Sequence, residues 1–293
     1  MCKICNNENL EDLIELTYCS RVKNIPYLPP TLIKLDCHNC TSLYSLPKLP
    51  LTLAELDCTG CASLYSLPKL PPTLSILNCS YCVSLTKLPK LPPALTLLNC
   101  SRCKSLSKLP KLPLNLTKLW CSGCTSLYSL PKLPPMLTGL SCYDCIRLTK
   151  LSKLPSTLTE LQCFNCTILT SLPKLPLKLT ILYCTFCPRL TKLPKLPPNL
   201  TRLDCSNCTA LIRLPKLPPT LIELYCYRCK SLLKLPDNIP PNTNSENCSS
   251  IQNPNLLEEL RKTRSVKIQI IVASLNSKSI SFDILNFHII KNL

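Results

Sequence analysis

Histidine, glycine and tryptophan are nearly absent from the sequence. Its 293 residues include 2 His, 3 Gly and 1 Trp. The two histidines, His38 and His288, leave almost no basis for a catalytic centre that needs several imidazoles. The sequence also contains no glycine-rich phosphate loop and no hydrolase-like combination of Ser, His and Asp. It therefore predicts a protein that is not an enzyme and has no small-molecule substrate.

Long hydrophobic runs are missing as well. Pro and Lys interrupt every apolar stretch, so we expect no transmembrane segment. The N-terminus, MCKICNN, lacks the apolar core of a secretory signal. We therefore expect a cytoplasmic protein in a reducing compartment, where most cysteines remain thiols.

Proline and cysteine are abundant instead, with 30 and 24 residues, and most of them belong to a repeated unit. The pentapeptide LPKLP recurs every 21 residues, starting at Leu46, Leu67, Leu88, Leu109, Leu130, Leu172, Leu193 and Leu214. Leu151 begins a variant with Ser152 in place of the first Pro, and Ile25 and Leu235 begin degenerate copies. A fixed period of this length is typical of a solenoid built from stacked repeats.

One unit, read from Leu32, is LIKLDCHNCTSLYSLPKLPLT, and its skeleton is L-x-x-L-x-C-x-x-C-x-x-L-x-x-L-P-x-L-P-x-x. The first half follows the leucine-rich-repeat template, with Cys37 at the third Leu position and Cys40 at the Asn/Cys position. The second half resembles the short LPX (LPxLPxx) class of leucine-rich repeats, found in secreted effectors of pathogenic bacteria. It is also similar to the Leu/Pro repeat arrays of amoebae and their giant viruses. The resemblance covers roughly residues 10–240.

This resemblance implies a binding scaffold, which a viral source would place in the host cytoplasm. Several bacterial members join the repeats to a ubiquitin-ligase domain with a catalytic Cys. We expect no ligase domain here, because residues 252–293 alone follow the array. Cys248 lies in a degenerate repeat and is not expected to act as a nucleophile.

The fold predicted is a leucine-rich-repeat horseshoe. Leu35 and Cys37 point to one side of a short strand, and successive copies should stack as a parallel sheet on the concave side. Pro at every third residue of LPxLPxx forces an extended, polyproline-like convex side. We expect an N-terminal tail over 1–9 and about eleven repeats over 10–251, the last one degenerate. A small α/β cap over 252–293 should contain a helix at about 255–264 and then two strands.

Ten CxxC pairs, from Cys37/Cys40 to Cys226/Cys229, allow three interpretations. Two successive pairs have the spacing of a four-cysteine zinc site, and the CxxC pairs themselves could have a thiol-redox role. Neighbouring strands could instead carry disulfides. The interpretation we favour is a buried core without cofactor, because both cysteines fall on inward template positions. The 21-residue period puts Leu16 at the first cysteine position of the first copy, where a metal ligand would not tolerate Leu.

Basic residues outnumber acidic residues by 24 to 7 over residues 34–233, and the two signs occupy different positions of the repeat. One basic row is the Lys of LPKLP: Lys48, Lys69, Lys90, Lys111, Lys132, Lys153, Lys174, Lys195 and Lys216. A second row lies three residues earlier: Lys87, Lys108, Lys150, Lys192, Arg213 and Lys234. Both rows should line the convex side or its edge. They could bind a polyanion, either nucleic acid or an anionic membrane surface, although a solvated face that keeps the repeats soluble is the simpler interpretation.

Acidic and aromatic residues occupy strand positions predicted to face the concave side. Asp36 and Asp57 lie towards the N-terminal end, where the other exposed positions are small and polar. The aromatic residues there are Trp120, Tyr143, Phe164, Tyr183, Tyr225 and Tyr227. Such residues are typical of interface hot spots, and they are also common on ordinary sheet surfaces. The function predicted is a non-catalytic scaffold that binds a protein partner through this face.

Overall fold

A computed structural model describes residues 13–17, 22–236, 238–245 and 248. Each repeat contributes one strand of three residues. The strands are β1 (Glu15–Thr17), β2 (Lys34–Asp36), β3 (Glu55–Asp57), β4 (Ile76–Asn78), β5 (Leu97–Asn99), β6 (Lys118–Trp120), β7 (Gly139–Ser141), β8 (Glu160–Gln162), β9 (Ile181–Tyr183), β10 (Arg202–Asp204), β11 (Glu223–Tyr225) and β12 (Asn242–Asn244). The expected tail over 1–9 and the expected cap over 252–293 lie outside the described residues.

The twelve strands form one parallel sheet in which each strand pairs with the next one along the chain. Leu35 lies opposite Leu56, and the same 21-residue step continues from β2 to β11. The register follows from burial, because the middle Leu of each strand points inward while its two neighbours point outward. The sheet confirms the leucine-rich-repeat solenoid predicted from the repeat.

The LPxLP half of each repeat contains neither helix nor strand among the described residues. In the repeat after β2, Leu43, Leu46 and Leu49 are buried while Lys48 is exposed. Burial at every third residue is what a polyproline-like segment with three residues per turn produces. The extended side opposite the sheet is therefore confirmed.

Hydrogen bonds between repeats compensate for the donors that proline lacks. The Thr52 hydroxyl donates to the carbonyl oxygens of Pro30 and Leu32, at 2.7 and 2.8 Å. On the sheet side, the Thr138 hydroxyl donates to the Thr117 carbonyl at 3.1 Å. These side chains stabilise the stacking of one turn on the next rather than the turn itself, which is how a solenoid gains its stability.

The two end repeats correct the assumption of a uniform period. Leu16 lies opposite Leu35, a step of 19 residues, so it occupies the strand-leucine position and not the first cysteine position expected for it. The segment between Leu16 and Ile25 is two residues shorter than its later equivalents, and pairing with β2 follows the buried leucine rather than the sequence count. Leu16 therefore carries no argument against metal binding. At the other end, Thr243 lies opposite Leu224 after the same shortened step.

Candidate functional site

Two rows of cysteines run through the interior, the first cysteine row (Cys37 and its equivalents) and the second cysteine row (Cys40 and its equivalents). All the described cysteines are free thiols and buried. In the second cysteine row, the Cys61 thiol donates to the carbonyl of Cys37 at 3.1 Å, and Cys124 donates to Cys100 at 3.1 Å. The same bond recurs in every repeat from Cys61 to Cys229. The second thiol thus acts as a hydrogen-bond donor to the preceding turn.

Cys248 continues this row in the last repeat. Its side chain is buried, and its thiol donates to the carbonyl of Cys226 at 2.9 Å. The residue therefore has the same structural role as the second cysteine of the regular repeats.

The thiols of the first cysteine row have raised pKa values. The hydrogen-bonding contact with the Cys145 thiol, followed by burial, raises the pKa of Cys121 well above its ordinary value. Burial is the main cause of the raised pKa of Cys163. A thiol is a nucleophile and a metal ligand only as the thiolate, so these shifts oppose both roles. Within the described ranges, no group of three or more His, Cys, Asp or Glu side chains is arranged to hold a metal ion.

The sheet face consists of the outward residues of strands β2 to β11 and the residue two positions after each strand. Trp120, Tyr183 and Tyr225 are third residues of their strands, as are Asp36 and Asp57. Tyr143, Phe164 and Tyr227 each follow two residues later, beyond the inward first cysteine. All the residues predicted to bind a partner therefore belong to one surface.

The structure brings part of this set into contact. The rings of Tyr143 and Phe164 stack on neighbouring repeats, with centroids 4.2 Å apart and planes 6° from parallel. The Lys118 ammonium lies over the Trp120 ring, 5.8 Å from its centroid. Tyr183 instead hydrogen-bonds with Arg202. Trp120, Tyr143 and Phe164, defined here as the aromatic cluster, form the apolar centre of the sheet face.

Small residues create a depression between Trp120 and Tyr143. Ser122 and Ser141 are buried, and their hydroxyl oxygens are 2.8 Å apart. The Ser141 hydroxyl also donates to the Gln162 side-chain oxygen at 3.1 Å. These groups belong to the lining of a cavity of 440 Å³. Three of its lining residues, Tyr81, Trp120 and Tyr143, are aromatic and most of the others are polar, so an inserted partner side chain would meet both rings and hydrogen-bonding groups.

The sequence interpretation missed two residues of this cavity, Tyr81 and Arg102. Both lie between the two cysteines of their repeats, in left-handed backbone with φ of 59°. The Arg102 guanidinium lies over the Tyr81 ring at 5.3 Å. In the next repeat the equivalent residue is Gly123, where a Cβ atom would lie 2.9 Å from the Arg102 Cγ. Aligning the repeats would have shown that Tyr81 and Arg102 share one position, the third residue of the CxxC pair. Nothing in the sequence indicates that their side chains contact each other.

The acidic end of the sheet face has a structural role of its own. The Asp36 carboxylate accepts hydrogen bonds from the His38 backbone amide at 3.0 Å and from His38 Nδ1 at 2.7 Å. Asp57 accepts the amide of Thr59 at 2.8 Å. Such bonds to the amide two residues on stabilise the turn after each strand. Asp36 and Asp57 also line a second cavity of 310 Å³, which shares Asn99 and Trp120 with the first cavity.

The nine lysines of LPKLP are all exposed on the side opposite the sheet face. The ion pairs of the described residues are Lys34 with Glu55, His38 with Asp36 and Arg202 with Glu223, all on the sheet face. No described carboxylate pairs with any of the nine lysines. The charge separation predicted from the sequence is therefore present in the structure.

Comparisons with known proteins identify the fold. No family model and no curated protein matches the chain. Among solved structures, YopM from Yersinia enterocolitica WA-314 matches with a TM-score of 0.55 and 32% identity, over 80% of this chain and 52% of YopM. The chain thus spans about half the length of that leucine-rich-repeat protein. In the part of the chain that the structure describes, no helix is long and apolar enough to traverse a bilayer.

Proposed function

We propose that this protein is a non-catalytic scaffold that binds a protein partner through the sheet face. The observation that carries the proposal is the aromatic cluster beside the 440 Å³ cavity. Partner residues would meet the ring of Trp120, the stacked rings of Tyr143 and Phe164, and the serine hydroxyls between them. Large aromatic side chains next to a pocket contribute most of the binding free energy at protein interfaces.

The stacked pair also supports binding because it is already ordered. Tyr143 and Phe164 hold each other in place through ring contact. The Lys118 ammonium lies over the Trp120 ring. A partner would therefore lose little free energy in ordering these side chains, which raises affinity. The likeness to YopM supports the scaffold class.

The zinc and thiol-redox alternatives have less support. The thiols of the second cysteine row, such as Cys124, donate to backbone carbonyls, and a ligand or oxidised thiol would lose this bond. Both cysteine rows are also buried beneath the surface. In the first cysteine row, hydrogen bonding and burial raise the pKa of thiols such as Cys121, which therefore remain protonated and react slowly.

The experiment compares capture of proteins from an amoebal lysate by the natural sequence and by a Trp120→Ala, Phe164→Ala variant. We expect a partner that is retained by the natural sequence and lost, at least tenfold, from this variant. The matched control is Tyr44→Ala, Tyr65→Ala, because these exposed tyrosines lie outside the sheet face. The control should retain the partner.

Affinities measured with the purified partner complete the test. Equal affinities of the natural sequence and the Trp120, Phe164 variant, with both proteins folded, would contradict binding at the aromatic cluster. An equal loss in the Tyr44, Tyr65 control would show that the effect does not belong to the sheet face.

A further inference from the structure

The basic side of the solenoid has a regular outer surface set by its polyproline-like backbone. In such a backbone, residues three apart point in the same direction. Ser45 and Lys48 are three apart in this backbone, with Leu46 buried between them, and Leu51 follows in the exposed turn in which the Leu53 amide donates to the Pro50 carbonyl at 3.3 Å. We define the lysine face as the residues at these three positions in the repeats from 45 to 219. The three positions of one repeat form one rung of the face, and successive rungs are about 5 Å apart, following the strand spacing.

Positive charge on the lysine face is not neutralised. Each rung has its central lysine exposed, and five of the first positions add Lys87, Lys108, Lys150, Lys192 and Arg213. The acidic residues between residues 34 and 233 lie elsewhere, on the sheet face or, for Asp144, in the turn after β7. Like charges on neighbouring rungs repel each other, so the free protein is less stable for holding them in line. A multivalent anion would remove that repulsion.

Three leucines of this face are exposed in the turns that follow the lysines. Leu51, Leu114 and Leu177 are 69%, 68% and 68% exposed, far more than any other leucine of the described repeats. Each lies three residues after a lysine of the row and three repeats from the next, a distance of about 14 Å from the strand spacing. Exposed leucines beside lysines are the composition with which peripheral proteins enter the interface of an anionic bilayer.

The composition of the face favours lipid over nucleic acid. No aromatic residue occurs at its three positions, and the exposed tyrosines one residue before them, Tyr44, Tyr65 and Tyr128, occur in only three of the nine repeats, so the face lacks the continuous stacking platform on which single-stranded nucleic acids bind. Arg213 is its one arginine, although arginine supplies the paired donors typical of phosphodiester recognition. The leucines would have no partner on a phosphate backbone. We propose that the lysine face binds the surface of an anionic lipid bilayer, with the three leucines entering the headgroup region.

The test measures partition of the full chain onto vesicles of phosphatidylcholine alone and of an equimolar mixture with phosphatidylserine, at low salt. We expect strong binding to the mixed vesicles alone. Each lysine near an anionic surface should change the partition coefficient roughly fivefold, so Lys90→Gln, Lys111→Gln, Lys132→Gln should reduce it about a hundredfold. Leu51→Ser, Leu114→Ser, Leu177→Ser should reduce it roughly tenfold without any change in charge.

The matched control removes three positive charges from the sheet face, with Lys34→Gln, Lys118→Gln, Arg202→Gln, and should retain most of the binding. An equal loss in this control, or equal partition onto neutral and anionic vesicles, would overturn the proposal. Tighter binding to polyuridylic acid than to the vesicles, lost in the lysine variant, would also overturn it and assign the face to nucleic acid. The lysine and leucine variants should still bind the protein partner. Such binding would show that lipid binding by the lysine face and the proposed scaffold function are independent.

Discussion

The sheet face and the lysine face cover the same repeats but differ in how their residues vary. The lysine face carries the same residue at its central position in nine consecutive repeats. The third strand residue of the sheet face changes from Asp36 to Asn99, Trp120 and Tyr183 while the strand register stays the same. The packing of the core therefore does not determine which residues occupy the outward positions of either face. The difference fits the two proposals, a sheet face that selects a particular partner and a lysine face that binds a uniform surface.

The two faces also treat charge differently. On the sheet face, Lys34 pairs with Glu55 at 3.6 Å and Arg202 pairs with Glu223 at 3.4 Å. On the lysine face no described carboxylate is within reach of the lysine row. Paired charges contribute specificity at close range. An unpaired row of lysines attracts any polyanion, and salt weakens that attraction.

The largest expected effect tests whether both faces depend on one core. Leu119 is fully buried beneath the sheet face, so Leu119→Ala should lower the free energy of unfolding by about 2–5 kcal/mol. The control, Leu114→Ala, changes the same residue type five positions earlier at a 68% exposed site and should cost less than about 0.5 kcal/mol. Chemical denaturation followed by circular dichroism gives both values. Similar losses in the two variants would contradict the assignment of Leu114 to the exterior.

The next effect concerns the second cysteine row, which runs through the interior of the repeats and therefore underlies both faces. Cys124→Ala removes the donor to the Cys100 carbonyl and should cost about 1–3 kcal/mol. Cys124→Ser keeps a donor of similar size and should cost less than the alanine variant. Thermal unfolding of both variants measures the difference. A serine variant no more stable than the alanine variant would mean that the thiol contributes packing and not a hydrogen bond.

A double-mutant cycle would sharpen the contrast between the faces. Tyr143→Ala and Phe164→Ala, singly and together, should show a coupling of about 0.5–1.5 kcal/mol, because the rings stack. The same cycle on Tyr44 and Tyr65, which are exposed at equivalent positions of neighbouring repeats, should show a coupling near zero. Equal coupling energies in the two cycles would show that stacking on the sheet face has no special contribution.

The smallest effect is the pH dependence of the Asp36–His38 pair. The hydrogen bond to Asp36, aided by its charge, raises the pKa of His38 above 6.5. Because the folded pKa is raised, the stabilisation is complete below the pKa of the unfolded chain and is lost as the pH rises through the folded pKa. NMR titration of the imidazole should give the raised value in the natural sequence and a value near 6.5 in Asp36→Asn. A titration unchanged by that substitution would refute the assignment of the cause.

The sequence by itself determined the features that depend on one repeat at a time. The period, the inward leucines and cysteines, the extended LPxLP segment and the separation of lysines from acids all follow from local backbone preference and burial. Only the tertiary structure decided the contacts between repeats. It placed Leu16 opposite Leu35, gave the Cys124 thiol a carbonyl acceptor in Cys100, and stacked Tyr143 on Phe164. The physical reason is that these contacts join residues about twenty positions apart, whose distance and orientation are set by how one turn stacks on the next.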